Sequence, residues 1–157
     1  MKQAKFAYGA GSEKRSRMAL DGAAIDINTA PYGALILRTC LAAMFLAHAL
    51  LKWRVFTIPV EAEFFRSLKL PGWLVPVTIA AELGGATCLI LGVVVRWVAL
   101  LLMPLMLGAI ATVHRKNGWL FTNKGGGWEY PAFWAAALFV QFLLGDGAWT
   151  LIRSPAL

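Results

Sequence analysis

The chain has 157 residues, of which 59% are hydrophobic and only 15% charged, with a net charge of +7 at neutral pH. Its mean hydropathy is +0.65. A soluble domain carries roughly 25% charged residues, so this composition argues against a soluble enzyme and for a single membrane domain. The positive charges are spread along the chain, whereas nucleic-acid recognition calls for a basic face or arm; no nucleic-acid partner is expected.

The first 30 residues hold Lys2, Lys5, Lys14, Arg15 and Arg17 and no apolar run. They read as a basic, flexible cytoplasmic tail and not as a cleavable signal peptide. Residues 31–157 form the membrane domain. About 20 apolar residues cross a bilayer core, and four segments approach that length: 31–52, 72–95, 97–114 and 130–152. Residues 54–70, after the first, mix Phe64, Phe65 and Leu68 with Glu61, Glu63, Arg66 and Lys69. That is the pattern of a short amphipathic helix on the membrane surface. Arg96 separates the second segment from the third, which predicts a tight hairpin, and Pro104 predicts a kink in the third. The stretch 114–130 is glycine-rich, but no strand precedes it and no Gly-Lys-Ser/Thr closes it, so it reads as a loop. Trp53, Trp73, Trp97, Trp119, Trp128 and Trp149 lie near the segment ends, as an interfacial aromatic belt requires, while Trp134 lies deeper. The fold class is all-α: an integral membrane four-helix bundle with a short interfacial amphipathic segment between helices 1 and 2. Four crossings put both termini on one side. Lysines and arginines divide almost evenly between the sides, and the cluster before the first crossing places both termini in the cytoplasm.

The polar residues fall into two layers. Glu82 sits inside the second apolar segment, where a carboxylate costs about 2.5–3.5 kcal/mol on insertion scales. Arg38, Leu41, Phe45, His48 and Lys52 share one stripe of the first helix, and Thr78, Glu82, Gly85, Leu89 and Gly92 share one of the second. Gly84, Gly85 and Ala86 let a neighbouring backbone approach. With both stripes turned inward, Glu82 faces His48 or Lys52, or water between them. His114 ends the third helix and Glu129 begins the fourth on the same side. Glu82, His48, Lys52, His114 and Glu129 are therefore the candidate ligand or proton site, in the outer half. Each of the other four has an ordinary role when taken alone: a snorkelling anchor for Lys52, a core histidine for His48, solvated caps for His114 and Glu129. The intramembrane carboxylate marks the set as functional. Near the inner face, Arg38 and Asp146 match in depth and predict a structural ion pair. Cys40 and Cys88 also match in depth; they read as small buried core residues, with a redox-active pair as the alternative. No metal-ligand spacing is present, so no metal is expected.

Five pieces in order carry a resemblance: Arg38 with "FLAHALLK", then "AELGGATCLILGVVVRW", "ATVHRKNGW", "WEYPAFW" and "GDGAW". Together they resemble the DoxX family of small four-helix membrane proteins over residues 34–152. The Glu-Gly-Gly of residues 82, 84 and 85, followed by Arg96 and a later histidine, is the most specific part. Two departures stand out: His48-Ala49 where the family often has His-Gly, and "GDGAWTLI" in place of an ending with serine and aspartate. The resemblance implies a multi-pass protein of the bacterial inner membrane with a loose association with redox processes. Similar proteins include the membrane subunit of thiosulfate:quinone oxidoreductase.

Three functions stay open. The first is a small inner-membrane subunit of a redox-linked system, itself not necessarily catalytic, that binds a quinone or similar molecule at the outer-half site. His48 and Glu82 would supply hydrogen bonds and Lys52 would tune them. The second is a small proton-coupled transporter with Glu82 as the switch. The third is a membrane anchor or assembly partner for a soluble enzyme, with Phe64, Phe65 and the loop 117–127 as docking surfaces. The lipid bilayer is a partner in each, and a protein partner or a second copy is expected. No flavin or iron–sulfur signature is present, and haem between His48 and His114 is the least favoured cofactor.

Overall fold

The structure, a computed structural model, describes residues 29–155, and the predicted basic tail lies outside them. Among the described residues, five α-helices succeed one another in chain order: α1 (Ala30–Leu50), α2 (Ile58–Ser67), α3 (Leu74–Leu91), α4 (Val95–Ala109) and α5 (Glu129–Leu144). The described residues contain no strand, only an isolated parallel bridge between Val93 and Ile152. Two helices continue into wide π-helical turns: α1 through Leu51–Phe56 and α4 through Ile110–His114. With these extensions, three stretches are long and apolar enough to cross a membrane: Ala30–Phe56, Leu74–Leu91 and Val95–Asn117. The fourth apolar helix, α5, has 16 residues.

The inward stripes form as the 3.6-residue period requires. Arg38, Leu41 and Phe45 on α1 and Glu82 and Leu89 on α3 are buried. They join Ala86, Ala99, Leu102, Trp134 and Leu138 in the shared core, apart from the two charged residues. Gly85 lies against α4, where an added Cβ would come within 2.7 Å of the Leu102 methyl carbons. Gly84, expected to share that role, faces open space.

The fourth segment ends earlier than its hydropathy suggests. Gly145 and Gly147 take φ of +84° and +77°, backbone that glycine adopts without a Cβ penalty. The chain therefore leaves α5 at Leu144 and does not run helical to Ile152. It folds back across the ends of α1 and α3: Ala148 N–H donates to the Pro31 carbonyl, and Leu151 and Ile152 N–H to that of Gly92. The α3–α4 break lies at Gly92–Val94, where Gly92 and Val94 have positive φ, and Arg96 already belongs to α4.

This terminal end corrects the predicted Arg38–Asp146 ion pair. Arg38, 1% exposed, donates from Nη1 to the backbone carbonyl of Asp146 (3.0 Å) and from Nη2 to those of Ala148 (3.0 Å) and Trp149 (2.7 Å). The Asp146 carboxylate faces elsewhere. It accepts from the Ser154 hydroxyl and N–H, both at 2.6 Å, and from the Arg96 N–H at 3.4 Å. The reason is local: the first N–H groups of α4 lack helical partners and draw an anion. Burial alone would raise the Asp146 carboxyl, but the bonds from Ser154 and Arg96, with the Arg96 charge, hold it below the usual carboxylate range. The cysteines also differ from expectation: Cys40 is exposed on α1, Cys88 is half-buried, and both are free.

Candidate functional site

At the opposite end of the helices, the loop end, lies a chamber of about 440 Å³. Its walls come from all five helices and from the π-helical turns. The first turn carries Lys52 and the second ends in His114. An i→i+5 turn adds a residue to the helical repeat and redirects the chain beyond it; such turns concentrate at functional sites. Beyond the first, Thr57 adopts φ of +65° and ψ of 150°, a conformation that costs energy outside glycine. It turns the chain into α2, which packs through Ala62 and Phe65 against Ala49, Val75 and Ile79. Phe64, Phe65, Leu68 and Glu61 thereby reach the chamber wall. The exposed side of α2 carries a Glu63–Arg66 pair, so the amphipathic segment predicted within 54–70 forms, with its apolar face against the chamber.

The intramembrane carboxylate has a partner. Lys52 Nζ donates to Glu82 Oε1 at 2.5 Å. Glu82 is 2% exposed and Lys52 22%, so the lysine stem lies along apolar wall while its ammonium keeps some solvent. The insertion cost of Glu82 is thus offset by a charge-assisted bond, whose strength rises in a low-dielectric setting. The pair does not satisfy the carboxylate. Glu82 Oε2 is buried with no hydrogen-bond partner, and so is Trp134 Nε1, on another part of the same wall. Native structures leave few buried polar groups unpaired, and each calls for an explanation.

His48 also lines the chamber. Its Nδ1 lies 3.0 Å from the Met44 carbonyl, and its ring meets Trp134 edge-on at 4.9 Å. It is held in place without bonding Glu82. His114 is fixed at both nitrogens: Nδ1 at 2.9 Å from the Gly126 carbonyl and Nε2 at 2.7 Å from the Tyr130 hydroxyl. Four of the five predicted site residues, Glu82, His48, Lys52 and His114, therefore share the chamber wall. Glu129 does not. Its carboxylate accepts from the Phe121 N–H at 2.7 Å and ties the loop to the start of α5.

The sequence reading misses Glu61, Tyr130 and the chamber role of Trp134. Glu61 sits within the electrostatic reach of Lys52 and Glu82. Burial pushes its carboxyl up, Lys52 pulls it down and Glu82 pushes it up, leaving it above the ordinary range. The displacement of Trp134 from the interfacial belt is the one sequence signal for that residue. Among the described residues, no group of three or more His, Cys, Asp or Glu could hold a metal ion.

The DoxX family profile matches residues 33–115, which covers α1 to the second π-helical turn and so Lys52, Glu82 and His114. It stops short of the "WEYPAFW" and "GDGAW" pieces. No curated protein matches the chain, and no solved structure does. The matched region exceeds half of the chain and takes in nearly all of the three membrane-length helices found among the described residues: the chain belongs to the DoxX family and is a small multi-pass membrane protein.

Proposed function

We propose that the chamber binds the head group of a lipid-soluble carrier of the quinone class, and that the protein serves a redox-linked membrane system as its binding subunit. The observation that supports this most is the Lys52–Glu82 ion pair, with His48 on the same largely apolar wall. Ligand sites have this composition: apolar lining with a few placed polar groups. A ring with oxygen substituents offers hydrogen bonds to the Lys52 ammonium and the His48 ring, and an apolar tail matches Phe64, Phe65, Leu68 and Leu105. The bacterial inner membrane, with both termini cytoplasmic, is the setting we propose, on the strength of the basic residues before α1.

Purification in mild detergent, solvent extraction and mass spectrometry test this. A prenylated quinone or quinol should co-purify near one per chain, and Glu82→Gln should lose it while still assembling in the membrane. Retention no greater than that of bulk lipid would refute the reading. A second reading, an anchor for a soluble enzyme, draws on Trp119, Leu120 and Phe121, which are exposed together on the loop; a stoichiometric soluble protein in the same preparation would favour it.

A further inference from the structure

Glu61, Phe64, Phe65 and Leu68 follow one another at i, i+3, i+4 and i+7 of α2, and all four line the chamber, as residues of one helix face do. Glu63 and Arg66 lie on the other side and pair at the exposed surface. A carboxylate thus stands on the apolar face of an amphipathic helix, where the pattern calls for a hydrophobe. Its place in the first turn of α2 suits the helix dipole, but that does not account for its facing the chamber. Glu61 is only half-buried, so solvent and a ligand can both reach it. Among the described residues no hydrogen bond or ion pair holds its carboxylate; Lys52 and Glu82 act on it through space. Lys52 is committed to Glu82 at 2.5 Å. His48, His114 and Tyr130 complete the titratable lining. His48 Nδ1 faces the Met44 carbonyl, and His114 is held at both ring nitrogens, one of them by Tyr130. Arg54, on the same turn as Lys52, lies over the Trp53 ring, and Lys69 beyond α2 is exposed.

The wall therefore holds two carboxylates and one lysine, and the lysine is taken. With the chamber open to water, hydration and the more distant Lys52 charge support an ionised Glu61. A head group that fills the chamber removes that hydration. A carboxylate deprived of water and of a bonded partner takes a proton instead of remaining charged. Burial already pushes this carboxyl above the ordinary range, so the further change required is small. The protonated carboxyl gains an O–H donor that the ionised form lacks, and the oxygen of a carrier ring is its complement. We infer that Glu61 contacts the bound head group: it takes up one proton as that group enters and donates the new O–H to a ligand oxygen. The assignment rests on the carrier reading of the chamber. The proton comes from bulk water and returns there when the ligand leaves; no electron moves and no other bond changes. Carrier binding is thereby linked to pH through a residue of the interfacial helix.

The full-length protein in lipid nanodiscs is titrated with a decyl-chain benzoquinone, which has no ionisable group, at a series of pH values through the carboxylate and histidine ranges. Empty nanodiscs supply the partition background. Affinity should be constant below the Glu61 pKa of the empty site, fall by up to about tenfold per pH unit above it, and level off beyond the pKa of the occupied site. Within that window a weakly buffered sample with an indicator dye should take up about one proton per quinone bound. Glu61→Gln keeps a donor and cannot ionise, so it should bind with the low-pH affinity at every pH and take up no proton. Glu61→Ala removes the donor as well; its profile should be equally flat and its binding about tenfold weaker, the scale of one hydrogen bond. Either variant is sufficient if the other fails to assemble. His48→Gln should weaken binding but keep the pH dependence, which separates Glu61 from the histidines. Quinone binding without pH dependence or proton uptake would overturn the proton link and leave the carrier site standing. So would a pH dependence that survives in the Glu61 variants or is flattened by His48→Gln. No binding above the background at any pH would overturn the carrier reading together with it.

Discussion

Replacing Arg38 with methionine keeps most of the length of the side chain and removes every donor. Three backbone carbonyls of the returning chain, those of Asp146, Ala148 and Trp149, lose a charged partner at once. A hydrogen bond to a charged group contributes about 1.5–3 kcal/mol. Part of the loss is recovered because a buried guanidinium, with its Nε unpartnered, no longer has to be desolvated. The balance is close to two such bonds, about 3–5 kcal/mol. Asp146→Asn keeps the carbonyl that Arg38 uses and weakens only the contacts to Ser154 and Arg96, so it should cost about 1 kcal/mol. Unfolding in mixed micelles titrated with a denaturing detergent measures both, and a double-mutant cycle measures their coupling. The coupling should stay below about 1 kcal/mol, since the guanidinium bonds the Asp146 backbone and feels its carboxylate only electrostatically. Equal single losses with a coupling of about 2 kcal/mol or more would mean that a guanidinium–carboxylate pair holds this end, and the carbonyl clasp would be wrong.

The same geometry gives three further expected outcomes. The Glu61 carboxyl is raised in the folded protein, so folding favours its protonated form; that advantage is present below the unfolded pKa and lost as pH rises through the folded one. Glu61→Gln should therefore stabilise the protein at neutral pH and make no difference below the carboxylate range, and thermal unfolding across pH would show the opposite trend if Glu61 were held ionised. Gly84→Ala should be neutral or gain up to about 1 kcal/mol of helix propensity, while Gly85→Ala should lose about 1–2 kcal/mol against Leu102; similar melting temperatures for the two would contradict the assignment of Gly85 to the packed face of α3 and Gly84 to the open one. With Cys40 and Cys88 replaced by alanine, cysteines at exposed positions 124 and 153 should differ in labelling by an impermeant maleimide in intact cells, with only Lys124→Cys reacting; labelling of both would refute the topology.

Much of the helical frame is legible in the sequence because two strong signals act together. Apolar length marks the crossings, and the 3.6-residue period turns Arg38, Phe45, Glu82 and Leu89 inward. Depth and stripe bring Glu82 toward His48 or Lys52, and the structure pairs it with Lys52. Depth does not fix direction, however, and Glu129, at the right level, turns to the Phe121 N–H. The true partners of Arg38 are backbone carbonyls, which leave no residue signature. The end of α5 is equally hidden, since Leu143 and Leu144 continue the apolar run and only the φ values of Gly145 and Gly147 stop the helix. The π-helical turns that bring Lys52 and His114 to the wall have no compositional mark. Trp134 reads only as lying deeper than the aromatic belt, and its unpartnered indole nitrogen emerges only from the folded structure.

The central claim is that the chamber around Glu82 is where a lipid-soluble carrier head sits. Photo-crosslinking tests it most directly: an azido-benzoquinone with a short tail is activated in nanodiscs, and the labelled peptides are sequenced. Adducts should concentrate on Thr78–Glu82 of α3, Thr112–His114 after α4 and Pro131–Trp134 of α5, and excess unlabelled quinol should suppress them. Labelling confined to outward-facing residues such as Ile36 and Leu101, unaffected by the competitor, would contradict the account.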